Sequence, residues 1–127
     1  MVYDNAYALS SADFMVMVDA ALECLEWTEY DYESECNLDS FGLYFCDNAQ
    51  TVVETDLRNF CELAADDLNG LNLGQIGHDF ILTRNGHGAG FWGRGLGERG
   101  ERLSSWARSF GTVSAFISHS GGFLDIE

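Results

Sequence analysis

Two stretches in the first half of the chain place apolar residues at a helical period. Phe14, Val18, Ala21, Leu22 and Leu25 fall on one face of a helix predicted from about Ala12 to Glu26, capped by Ser10 or Ser11. Val53, Leu57, Phe60, Cys61, Ala64 and Leu68 do the same on a second helix, about Ala49 to Leu68, which Asp47 or Asn48 caps and Asn69-Gly70 ends. The pattern between them is different. Glu29 to Glu35 alternates strictly, and an extended chain there puts Glu29, Asp31, Glu33 and Glu35 on one face and Tyr30, Tyr32 and Ser34 on the other. An ordered loop is the alternative. Phe41 to Cys46 is apolar enough to be packed but has no period that types it.

The second half changes texture. Gln75 to Thr83 reads as a strand, and Arg84 to Gly90 as a turn in which Asn85-Gly86 is a hairpin signal, with Phe91-Trp92 opening the return strand. A third helix is predicted over Leu96 to Phe110, with Leu103, Trp106, Ala107 and Phe110 inward, Glu98 and Arg102 at i, i+4, and Gly111 as its C′ residue. Thr112 to Ser118 and Phe123 to Ile126 then flank Ser120-Gly121-Gly122 as a second hairpin. The expected architecture is α+β: three helices packed on a small antiparallel sheet built from two β-hairpins. At 127 residues, with no proline and no linker, the expected organisation is a single domain, 1–127, with an acidic helical half (1–70) and a neutral half (71–127).

Charge changes the picture more than composition does. Residues 1–67 contain sixteen Asp and Glu and one base, Arg58; residues 68–127 contain five acids and five arginines, so the net charge of −15 belongs to the first half. There is no lysine. Direct binding to nucleic acid through a basic surface is disfavoured, and so is binding to an anionic membrane. With 46% apolar and 13% aromatic residues, the chain is a folded acidic protein rather than a disordered acidic tail. No apolar run reaches the roughly 18–20 residues of a membrane span. Met-Val-Tyr-Asp at the start lacks the basic flank of a signal peptide, so a cytoplasmic location is expected. Cys24, Cys36, Cys46 and Cys61 contain no CxxC pair and are expected to be free thiols rather than metal ligands. No cofactor is expected.

The run His78-Asp-Phe-Ile-Leu-Thr-Arg-Asn-Gly-His-Gly-Ala-Gly-Phe-Trp92, followed by Arg94-Gly95-Leu96-Gly97, resembles a string shared by small acidic proteins encoded by bacteriophages and prophages. The resemblance extends more loosely to Asp56, Phe60, Asp66, Asp67 and Leu68, and departs at Gly93, where it implies Asp. It implies a phage-like setting inside a host cell and no particular activity.

Two sets of side chains carry candidate chemistry. Asp79, Arg84 and His87 fall on or beside the expected first hairpin, where His87 would be a base, Arg84 an anion holder and Asp79 an orienting group; the glycines around His87 would let a ligand approach the backbone. An Asp79–Arg84 structural ion pair is the plainer account, and Gly86-His-Gly-Ala-Gly90 lacks the closing residues of a phosphate loop. Trp92, Trp106 and Phe110 are expected in the core. The acids form the second set: Asp19, Glu23 and Glu26 on the first helix, Glu29, Asp31, Glu33 and Glu35 between the helices, and Glu62, Asp66 and Asp67 on the second. Trp27, Tyr30 and Tyr32 among them suit a protein interface. The expectation is a non-enzymatic protein that binds a basic nucleic-acid-binding host protein through these carboxylates, in its sharpest form an inhibitor of a CRISPR or restriction system acting as a nucleic-acid mimic. The alternatives are a small enzyme or ligand binder using Asp79, Arg84 and His87, and an accessory phage protein whose acidity only keeps it in solution. The arginines of the second half also suggest a homodimer in which they meet the acids of a second copy.

Overall fold

A computed structural model describes residues 2–4, 9–88 and 90–127. Among them the chain forms four helices: α1 (Ser11–Thr28), α2 (Asp47–Leu68), α3 (Leu73–Asn85) and α4 (Glu98–Arg108). The strands are short and pair in two separate antiparallel ribbons, β1 (Tyr30–Asp31) with β2 (Cys36–Asn37) and β3 (Ala115–Ile117) with β4 (Leu124–Ile126). The fold is mostly helical, with 59% of the described residues in helix, 3₁₀ turns included. The expected sheet with three helices on it is therefore overturned, and the error lies in residues 75–92.

Residues 75–85 belong to helix α3, with a 3₁₀ turn at Phe91–Gly93 in place of the return strand, and the physical reason the helix reads as a strand is burial. Ile76, Gly77, Asp79, Phe80, Ile81, Leu82, Thr83 and Arg84 are all buried, so α3 is enclosed on nearly every side. A helix at the centre of a core shows a continuous apolar run instead of an amphipathic stripe, and a short run of that kind reads equally as a buried strand. Its ends are nonetheless written in the sequence. The Asn72 side chain accepts from Gln75 N at 3.0 Å and caps the start. Gly86, in the left-handed region at φ 71°, closes the end and donates its N–H back to the last turn, so Asn85-Gly86 terminates a helix instead of turning a hairpin.

Everything else is arranged around α3. Helix α1 crosses it at very close range: a Cβ on Gly77 would sit 2.0 Å from the Met17 carbonyl oxygen. Met17, Val18, Ala21, Cys24 and Leu25 line the buried face of α1, while Phe14 and Leu22 are half-buried at its margin. Helix α2 contributes all six residues of its predicted face. Phe60 meets Phe80 at 4.8 Å and Phe91 at 5.6 Å between ring centres, and Phe110 closes the group 5.4 Å from Phe80. Trp92 and Trp106, expected inside, are 58% and 39% exposed; Phe91 takes the core place next to Trp92. The second expected hairpin forms as β3–β4, and Phe45 bridges to Leu124 beside it. None of the helices among the described residues is long and apolar enough to cross a membrane.

Candidate functional site

The run from His78 to Arg94 builds architecture. Asp79 is 1% exposed and points toward the segment after α3, where Arg94 grips it with two bonds, Nε to Oδ2 at 2.9 Å and Nη2 to Oδ1 at 2.8 Å. Gln75 Nε2 donates to the same carboxylate at 3.0 Å. Thr83 Oγ1 accepts from Phe91 N at 3.1 Å. Arg84 spreads its guanidinium over three partners: Asp56 Oδ2 at 2.9 Å, the Gly111 carbonyl at 2.7 Å and the Phe110 carbonyl at 3.0 Å. Asn85 donates to the Val113 carbonyl and accepts from Val113 N. Asp79, Thr83, Arg84 and Asn85 thus tie α3 to α2 and to the segments that follow α3 and α4.

This arrangement separates the three residues weighed as a catalytic set. Asp79 and His87 are eight residues apart along α3 and its cap, about 12 Å of helical rise. The expected Asp79–Arg84 pair does not form, because Asp79 is taken by Arg94 and Arg84 by Asp56. Of the glycines around His87, Gly86 and Gly88 have no atom within 4 Å of where a Cβ would sit, so the backbone there is open, whereas at Gly90 the space is filled by the protein itself, a Cβ there lying 2.1 Å from Thr83 Oγ1. His87 is exposed and close enough to Glu29 for its positive form to favour the ionised carboxylate.

The acids fall into groups with different fates. The alternating face is broken, since β1 and β2 fold back on each other through a turn at residues 32–35. Asp31 caps that turn, accepting from Ser34 N at 3.1 Å, and Glu33 and Glu35 stand exposed on it. Glu29 is half-buried; burial raises its carboxyl above the usual range, and His87 and the Ala115 N–H offset part of that rise. On α2, Asp67 is held by Arg102 through bonds of 2.9 and 2.7 Å, which keep its carboxyl below the usual range. Arg102 therefore reaches Asp67 instead of the expected Glu98. Glu62 is exposed and lines a separate hollow with Glu54 and Arg58; Asp66 is exposed next to Asp67. Three of the five arginines suggested for a dimer contact meet acids of their own chain, Arg84 at Asp56, Arg94 at Asp79 and Arg102 at Asp67.

Only the α1 group converges. Asp19, Glu23 and Glu26 line one groove of about 280 Å³ together with Leu22, Tyr44 and Gln50, and no base lines it. Burial raises the Glu26 carboxyl, and the charges of Glu23 and Asp39 raise it further. Asp39 sits in the 3₁₀ turn Leu38–Phe41, and Tyr44, 86% exposed, lies just beyond it. Both escaped the sequence analysis, because neither belongs to a periodic stretch and only the return of residues 38–45 onto α1 brings them there.

The cysteines behave as interior groups. Burial, with the Asp79 charge added, pushes the Cys24 thiol up to about 12, and burial with Glu62 does the same for Cys61. Among the described residues no three His, Cys, Asp or Glu side chains are grouped to hold a metal ion. The chain matches no family model, no curated protein and no solved structure.

Proposed function

We propose that this protein binds a cationic surface of a nucleic-acid-handling protein through the acidic groove on α1, and blocks that surface to its own ligand. The observation that carries the reading is Glu26. Its carboxyl is raised first by burial and then further by the charges of Glu23 and Asp39, and the groove it lines with Asp19 and Glu23 holds no base, so the fold keeps a concentration of like charge that a basic partner would relieve. The net charge of −15 supplies long-range attraction for such a partner and repels nucleic acid itself. The resemblance of residues 78–97 to phage-encoded proteins makes a host CRISPR or restriction complex the first target to test.

The test is protection in cells. A strain carrying an active restriction or CRISPR system is made to express the protein and is challenged with a susceptible phage. Expression is expected to raise plaque numbers by orders of magnitude. A variant with Asp19→Asn, Glu23→Gln, Glu26→Gln and Asp39→Asn, which removes charge without changing shape, is expected to lose that effect. Protection that survives neutralisation of the four carboxylates would overturn the reading.

A further inference from the structure

A second groove, of about 460 Å³, lies on the other flank of α1, between it and α3. Glu23 lines both grooves, so it stands on the ridge between them. The second groove is walled by Trp27, Gln75, His78 and Arg94. Trp27 stacks on the His78 ring with centres 5.4 Å apart and planes 22° apart, yet its side chain remains 44% exposed. His78 Nδ1 is shielded from solvent without a hydrogen-bond partner, 3.9 Å from Asp79 Oδ1. Arg94 spends its charge on Asp79 in the two-bond pair. The groove therefore holds an indole stacked on an imidazole and still partly exposed, and its uncompensated charge is the Glu23 carboxylate, which forms no ion pair among the described residues.

An indole face beside a free carboxylate matches one side chain better than others. A guanidinium is planar and weakly hydrated, so it stacks on an aromatic face while donating to a carboxylate at its edge. An ammonium is compact and strongly hydrated and gains less from the stack. We propose that the α1–α3 groove receives an arginine side chain of the basic partner, stacked on Trp27 and paired with Glu23. This rests on the acidic-face reading above and specifies which residue type that face selects.

The experiment titrates the protein with an oligo-arginine peptide and with an oligo-lysine peptide of equal length, at about 50 mM and about 200 mM salt. The wild type is expected to bind the arginine peptide more tightly, with the Trp27 indole N–H resonance shifting on titration. Trp27→Leu is expected to weaken the arginine peptide about fivefold to thirtyfold, the range of one partly desolvated cation–π contact, and to erase the preference over lysine while keeping the salt dependence. Glu23→Gln is expected to weaken both peptides. If the arginine peptide binds with no preference and the Trp27 resonance stays still in the wild type, the arginine site is wrong while the acidic-face reading stands. If neither peptide binds at low salt, the acidic-face reading itself fails. The resonance is read on the unaltered chain, so the answer does not depend on the folding of a variant.

Discussion

Gly77 is where one missing side chain decides the packing. Its neighbour across the α1–α3 crossing is backbone, the Met17 carbonyl, with the Ala21 N–H close behind at 3.2 Å from the position a Cβ would take. Backbone cannot rotate away as a flexible side chain can. Gly77→Ala is therefore expected to force the two helices apart and to cost about 3 kcal/mol or more of stability in urea denaturation. Gly74, one turn earlier in α3, is a matched control, because its Cβ would meet nothing nearer than 3.4 Å. Gly74→Ala is expected to be neutral or to gain up to about 1 kcal/mol from helix propensity. Equal costs at both sites would mean that the crossing is not the constraint. Neither role is legible in the sequence, where Gly74 and Gly77 differ only in the face of α3 they occupy.

Among elements, Arg84 joins three. It sits in the last turn of α3 and holds Asp56 on α2 together with the two carbonyls that follow α4. Its guanidinium also lies 5.2 Å from the Phe80 ring centre and 5.8 Å from that of Phe110. Arg84→Lys keeps the charge and loses the fork, leaving the part-buried bonds to the Phe110 and Gly111 carbonyls short of donors; a loss of about 1–3 kcal/mol is expected by chemical denaturation. Asp56→Asn is expected to cost less, because Arg84 retains both carbonyls. A cost below about 1 kcal/mol for Arg84→Lys would show that the fork does not tie the elements. The residues of this staple were visible as a motif, yet their roles were not. Whether Arg84 faces Asp79 or Asp56 depends on residues 75–85 being helix, and the period that identifies a helix vanishes when all its faces are buried. The cap at Asn72 and the stop at Asn85-Gly86 were the remaining local signals, and the second is shared with hairpins.

At the scale of the whole molecule, charge sets the response to pH. Glu26 and Glu29 carry raised carboxyls, so the folded chain holds protons there to higher pH than the unfolded chain does. Stability accordingly rises as pH falls from neutrality through the range of those two groups. Asp67 has the opposite sign: its lowered carboxyl contributes stability above the ordinary Asp range, and that contribution is lost as pH falls through its folded value. The melting temperature is therefore expected to pass through a maximum on the acid side of neutrality, where calorimetry across the pH range reads it at about 4 °C per kcal/mol for a chain of this size. Added salt is expected to raise the melting temperature at neutral pH by screening self-repulsion, and to do so less at the maximum. A melting temperature that falls steadily from neutrality downward would contradict this assignment.

The sequence by itself determined α1, α2 and α4, the β3–β4 hairpin and the uneven distribution of charge. These are local properties: a one-sided apolar period, a cap or a glycine turn declares itself to its own neighbours in the chain. Tertiary structure decided the identity of α3, the pairing of Arg84 with Asp56 and of Arg102 with Asp67, and which acids share a groove. Asp19, Glu23 and Glu26 were one helical stripe in the sequence, but Asp39, Tyr44 and His78 reach the flanks of α1 from other elements, His78 to stack on the helix's own Trp27. Ion pairs and grooves depend on contacts between segments far apart in the chain, and a burial pattern that encloses a helix completely erases the one periodic signal that would have announced it.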